Sequence, residues 1–96
     1  MATVVVTPTA VADLDWLIRT HSLPANTRER AISSLRALER FPLLGAPLTG
    51  RWAGFRFVLG PWRWMLLVYV YDDEADRVAV VTIQDARSAR AATSTR

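Results

Sequence analysis

The order of elements read along the chain, β-α-α-β-β-β, predicts an α+β domain in which a helical hairpin covers one face of a small antiparallel sheet. Three observations lead there. Residues 3–7 (TVVVT) are β-branched throughout, a composition that suits a pleated strand. Residues 8–40 carry apolar side chains at helical spacing in two runs, and residues 55–84 carry strand-like runs separated by turn residues. The 96 residues, 51% apolar and 22% charged, have the length and composition of a single domain, residues 1–96, with a tail at about 88–96 expected to fray.

Thr7-Pro8 marks the start of the first helix, with threonine as N-cap and proline in the first position, where its missing N–H costs nothing. Val11, Leu14, Leu17 and Ile18 follow at spacings of three and four, so they share a face. Trp16 is assigned to the core. The helix runs to about His21, and Ser22-Leu23-Pro24 breaks it. A second helix is expected over roughly residues 26–40, with Ile32, Leu35 and Leu38 as its buried stripe. Phe41-Pro42 ends it, because proline disfavours the helical conformation in the residue before it.

Residues 42–54 contain two prolines and three glycines and read as a surface loop. Phe55, Phe57 and Leu59 then alternate with Arg56 and Val58. Gly60-Pro61 reads as a hairpin turn and residues 62–71 as the return strand. Residues 78–84 form the last strand after an acidic loop. A two-residue turn would pair Leu59 with Trp62, Phe57 with Trp64 and Arg56 with Met65. Phe55, Phe57, Leu59, Trp62, Trp64 and Leu66 would then make an apolar face for the helices to cover. Arg56 and Arg63 would fall on the other face, with Tyr69 and Tyr71 further along.

All twelve basic residues are arginine, against nine acids, for a net charge of +3. Arginine stays charged and presents a planar fork to phosphate or carboxylate. Arg51, Arg56 and Arg63 lie in a stretch without an acid, and Arg87, Arg90 and Arg96 follow Asp85, a clustering that favours an anionic partner. The absence of cysteine excludes a disulfide framework, a zinc–thiolate site and a cysteine nucleophile. With one histidine, neither a metal nor a cofactor is expected. Asp72, Asp73, Glu74 and Asp76 lack the glycine and closing glutamate of a calcium loop and read as a solvated turn. His21 is explained by its place at a helix C-terminus. No apolar run reaches the length of about 18 residues that spans a membrane, and no leader segment opens the chain. A cytoplasmic protein without a membrane partner is expected. Trp52, in the glycine-rich loop, is the tryptophan placed for a partner. Interleaved arginine and tyrosine on a sheet suit RNA or an acidic protein surface.

Four segments appear in order behind the strand and helical hairpin. They are LERFPLLG at residues 38–45, Leu48-Thr49-Gly50, GPWRW at residues 60–64, and Ile83-Gln84-Asp85-Ala86-Arg87. Over nearly the whole chain they resemble the RelE/ParE-family toxins of type II toxin–antitoxin modules. The resemblance implies a RelE/ParE-like fold and a growth-inhibiting protein of the plasmid-stabilization kind. It also implies a cognate antitoxin whose flexible, acidic C-terminal segment wraps the toxin. Two targets follow from it. ParE-like members act on DNA gyrase and are not enzymes. RelE-like members cut mRNA on the ribosome, using basic side chains on the sheet to hold the phosphate.

By position, Arg63 matches the family's strand arginine and Arg87 the arginine after the last strand. Arg56 stands where a basic residue precedes them. These three form the catalytic set if the chain is RelE-like. Arg51, Trp52, Arg56, Tyr69, Tyr71 and Arg90 are the candidates for contacting the target or the antitoxin. Lysine is absent, and the tail after Asp85 has neither tyrosine nor histidine. Arginine is a poor general base, so Asp85, Tyr69 or Tyr71 would have to move the proton. The missing proton-transfer residues favour gyrase as the target. The alternatives are a RelE-like mRNA interferase and a non-toxic module that still binds an antitoxin.

Overall fold

The computed structural model describes residues 1–94. Its elements in order are β1 (Thr3–Val6), α1 (Pro8–Thr20), α2 (Thr27–Leu35), the short α3 (Ala37–Arg40) and β2 (Ala46–Pro47). After a 3₁₀ turn (Gly50–Trp52) come β3 (Arg56–Leu59), β4 (Met65–Asp72) and β5 (Arg77–Asp85). The sheet runs β1-β5-β4-β3-β2. Four strands are antiparallel in sequence, while β1 lies parallel to β5, with Thr3 opposite Arg77 and Val6 opposite Val80. The sheet is therefore mixed. The intervening helices carry the chain back far enough for the first strand to join the last in parallel.

At the start of α1 the Thr7 hydroxyl accepts the Ala10 N–H at 3.3 Å and donates to the Val80 carbonyl at 2.9 Å, so the cap also ties the helix to β5. The buried stripe is Ala10, Leu14 and Leu17. Val11 lies outside it, and Trp16 is 57% exposed rather than in the core. The helix expected over 26–40 is divided at Arg36. Its N–H bonds to the Ser33 carbonyl at 3.2 Å and the Glu39 N–H to the Arg36 carbonyl at 3.1 Å, a 3₁₀-type tightening. Leu35 and Leu38 are buried on either side of this step, and Ile32 is left 49% exposed.

The turn between β3 and β4 is longer than two residues. Leu59 faces Leu66, Phe57 faces Val68 and Arg56 faces Tyr69. Residues 60–64 close the connection through Gly60 N–H to the Met65 carbonyl (2.9 Å) and Met65 N–H to the Trp62 carbonyl (3.0 Å). The register slips by an even number of residues, so the two faces keep their expected strand members. The helices, however, cover the other face. Val58, Met65, Leu67 and Tyr69 pack with Leu14, Leu17, Leu35 and Leu38. Phe55, Phe57, Leu66 and Val68 lie under Leu48, Ala91 and Ala92. Both faces of β4 are buried from Met65 to Tyr69, so apolarity alone does not say which side receives the helices. Trp62 and Trp64 leave the sheet and border the helix-side core. The described part of the tail expected to fray, through residue 94, docks on the second face through Ala91 and Ala92, where the Ala92 N–H donates to Gln84 Oε1 at 2.7 Å. Arg96 lies outside the described residues.

The segment LERFPLLG is held by two side chains that point into the helix side. The Tyr69 hydroxyl donates to the Pro42 carbonyl at 2.8 Å and accepts the Gly45 N–H at 2.9 Å. The Arg56 guanidinium donates to the carbonyls of Gly45 (2.8 Å) and Leu43 (3.2 Å). A Cβ on Gly45 would stand 2.7 Å from both the Phe57 carbonyl and the Tyr69 ring, so glycine is required by close approach. Tyr69→Phe strands the Gly45 N–H and the Pro42 carbonyl. We expect a loss of about 1–3 kcal/mol of stability, read from urea unfolding. An unchanged midpoint would mean that the loop is held by other contacts.

Candidate functional site

Along β5 the pairing passes from Val68–Thr82 to Tyr69–Val80, leaving Val81 without a partner on β4. This bulge shifts the alternation by one residue. Val78 and Val80 before it, and Ile83 and Asp85 after it, therefore all face the helices. Past the end of β1, the Asp13 carboxylate accepts the Thr82 hydroxyl at 2.5 Å and the Ile83 N–H at 3.3 Å, which fixes α1 against the free edge of β5. The C-terminal end of α1 thereby comes to Asp85.

Asp85 is the hub of the cluster there. Arg87 grips it with a fork, Nε to Oδ1 at 2.9 Å and Nη2 to Oδ2 at 2.8 Å, while the Arg87 backbone N–H adds a bond to Oδ1 at 2.9 Å. His21 Nε2 lies 3.3 Å from Asp85 Oδ2. The other ring nitrogen, Nδ1, lies 3.1 Å from the Thr20 hydroxyl and 3.3 Å from the Leu17 carbonyl, so the ring is held from both sides. It stacks on Trp64 with centroids 4.9 Å apart, and the Arg87 guanidinium sits 4.6 Å from the same indole. The Ala86 N–H donates to the Trp64 carbonyl at 2.6 Å, joining the end of β5 to the 60–64 connection. Hydrogen bonds from the Arg87 side chain hold the Asp85 carboxyl down at about 2, against the opposing effect of desolvation. The same bonds push the Arg87 guanidinium further up.

The expected catalytic set divides. Arg63 is exposed in the 60–64 connection, next in sequence to the indole that Arg87 covers, so these two belong to one end of the sheet. Arg56 does not join them, because its guanidinium is spent on the carbonyls of residues 43 and 45. Tyr69 is fully buried and can neither meet a partner nor reach a substrate; burial pushes its hydroxyl above the ordinary value. Tyr71 sits at the opposite end of β4, where its hydroxyl donates to Asp76 at 2.7 Å and is raised by that bond. Arg51, Trp52 and Arg90 converge on an open cleft of about 850 Å³ on the second face, with Leu48, Phe57 and Ala92 in its wall and no acid along it among the described residues.

His21 is the residue that sequence reasoning passed over. No local signal finds it: residues 78–81 are apolar throughout, so the pattern does not mark the bulge that turns Asp85 toward the helix end. An imidazole held by a carboxylate can accept and give a proton through its other nitrogen when that nitrogen is released. Arg87, which shares Asp85 with it, and the exposed Arg63 of the 60–64 connection are cations of the kind that stabilise a developing anion. Among the described residues, no three His, Asp or Glu side chains group as metal ligands, and no helix is long and apolar enough to cross a membrane.

No protein-family model and no curated protein sequence matches the chain. Solved structures do. A chain of the RelBE2 toxin–antitoxin complex of Mycobacterium tuberculosis is 30% identical, over 88% of this chain and 96% of that one, with a TM-score of 0.64. The chain belongs to the RelE/ParE family of toxins. The YoeB/ParE toxin of Agrobacterium tumefaciens shares the fold at TM-score 0.66 and 23% identity, over 86% of this toxin and 96% of that chain. A chain of the chromosomal ParDE system of Pseudomonas aeruginosa shares it at TM-score 0.69 and 14% identity, over 91% of this toxin and 98% of that chain.

The depressed Asp85 gives the toxin a specific acid response. An ordinary aspartate titrates near about 3.9, so the unfolded chain takes up its proton before the folded one, whose carboxyl titrates at about 2. The stabilisation from Asp85 is therefore complete above the unfolded value and lost as the pH falls through the folded value. The stability difference between wild type and Asp85→Asn, from urea unfolding, should be largest at pH 5 and shrink toward zero near pH 2. A constant difference across that range would contradict the ion-paired geometry.

Proposed function

We propose that this toxin arrests growth by cutting mRNA on the ribosome in the RelE manner, in the cytoplasm, and is held silent by an antitoxin. The carrying observation is the cluster at the end of the sheet: of the three matched arginines, Arg87 covers Trp64 beside the His21–Asp85 pair and Arg63 precedes Trp64 in the same connection. Cleavage at a 2′-hydroxyl needs one group to take a proton and one to give it. The sequence offered no such residue near Asp85, and the end of α1 supplies one. In this reading Arg63 and Arg87 hold the phosphate and its developing charge, while His21, oriented by Asp85 at Nε2, exchanges the proton through Nδ1 once that nitrogen turns away from Thr20 and the Leu17 carbonyl. The 30% identity to a chain of a RelBE2 complex supports the same direction.

A ParE-like action on gyrase is the second reading, and one observation favours it. Arg56 is tied to carbonyls and Arg87 to Asp85, so among the three matched arginines Arg63 alone makes no hydrogen bond within the described residues. A phosphate would have to displace Asp85 from the Arg87 fork. The antitoxin would find its surface on the exposed Phe41, Leu43 and Leu44 and the arginine-rimmed cleft of Arg51 and Arg90. A stable complex would bury more than about 1,000 Å².

Inducing the gene alone, and then with the open reading frame beside it, separates the readings. Cuts within translated codons are expected, and co-expression of the antitoxin should relieve the arrest. Arg63→Ala should lower the cleavage rate by two to three decades, roughly the effect of losing a donor to a developing anion. Arg63→Lys should recover only part of it, since the charge stays and the fork is lost. His21→Gln should cost about a hundredfold or more with the melting temperature little changed. Intact transcripts together with blocked supercoiling would instead establish the gyrase reading.

A further inference from the structure

We propose that the two tryptophans of the 60–64 connection, with the arginines around them, form a binding strip for single-stranded RNA beside the candidate site. The identity of the strand as RNA rests on the nuclease reading above. Trp62 and Trp64 stack with centroids 6.3 Å apart and planes at 29°. Arg30 of α2 lies over Trp62 at 4.8 Å, and Arg87 over Trp64 at 4.6 Å. Arg63 stands exposed between the two indoles in sequence. In space the order is Arg30, Trp62, Trp64, Arg87: two stacked rings with a cation on each, and the His21–Asp85 pair beside Trp64.

A pair of tryptophans serving only the core would be covered by apolar side chains. Here both remain half-buried, and the rings carry exposed arginines. Single-stranded nucleic acid is bound by this combination, with bases on aromatic faces and phosphates on the adjoining cations. An exposed arginine resting on a half-buried indole is held weakly, so an arriving base can take its place on Trp62 and leave Arg30 to meet the phosphate. A crevice of about 420 Å³ that Arg30 and Pro61 line together with Asn26, Glu29, Ser33 and Ser34 offers partners for a sugar hydroxyl or a base edge. The carboxylates at hand are Glu29 and Asp85, and Asp85 is already matched by Arg87 and His21. The strip is therefore cationic on balance, which an acidic polypeptide could also exploit. The stacked indoles favour the strand of bases.

The test is the binding of a fluorescein-labelled 12-nucleotide oligouridylate to the full-length toxin at low salt, with polyglutamate as competitor. Binding should weaken with salt. Trp62→Leu, which keeps apolar packing and removes the π-face, should weaken it at least about fivefold. Because Trp62 borders the core, Trp62→Phe and the surface change Arg30→Gln are measured alongside, each with its melting temperature. We expect a smaller loss for either. Unchanged binding in folded Trp62→Leu would overturn the strip, as would polyglutamate displacing the RNA equally from both proteins. Cleavage of transcripts without any Trp62-dependent binding overturns the strip alone. Trp62-dependent binding without cleavage upholds the strip and overturns the nuclease reading.

Discussion

Val81 has no partner on β4, and much of the geometry at the candidate site follows from that one extra residue. Were β5 regular, Ile83 and Asp85 would fall on the face away from the helices whenever Val78 and Val80 fell toward them. The bulge lets all four face the same way. Val78, Val80 and Ile83 then close the core over Leu14 and Leu17, while Asp85 reaches the end of α1. Asp13 holds the same stretch from the other direction by taking the Thr82 hydroxyl and the Ile83 N–H. The polar groups left unpaired where β1 stops are thereby satisfied by a helix side chain.

The second constraint is the two-sided burial of β4. A domain this small rarely encloses a strand completely, and here the cover comes from unlike sources: helices on one side, and Leu48 with the docked tail on the other. Tyr69 links the two arrangements, since its ring is core and its hydroxyl anchors residues 42–45. The loop so anchored leads into β2 and then toward Leu48. Arg56, matched by position to a functional residue, works in this fold as a second anchor for the same loop.

The candidate site lies where three chain segments end: the last turn of α1, the connection before β4 and the residues after β5. Each contributes what the others lack. The helix end brings an imidazole, the connection brings indoles and Arg63, and the end of β5 brings the Asp85–Arg87 pair. Asp85 has a double position, orienting His21 while occupying the fork of Arg87. An anionic ligand at this end competes with a carboxylate already in place, so the resident ion pair sets a threshold for binding as well as a geometry.

The elements themselves were legible in the sequence because they are dictated locally. Thr7-Pro8 starts a helix by capping, Phe41-Pro42 stops one by steric clash, and β-branched or alternating runs make strands. The family was legible too, since its motifs lie in contiguous stretches of chain. The parallel seat of β1, the side on which the helices lie and the length of the turn before β4 were not, because β4 is apolar on both faces and pairing is a long-range choice. His21 belongs to the same category. In sequence it stands 64 positions from Asp85 at the end of a helix, and only the bulge at Val81 and the docking of α1 through Asp13 bring the two together. The sequence by itself determined the kinds of element and the arginines available; the tertiary structure decided which of those arginines are free, which are structural, and that the one histidine stands beside Asp85, because those outcomes depend on which distant surfaces can be buried at once.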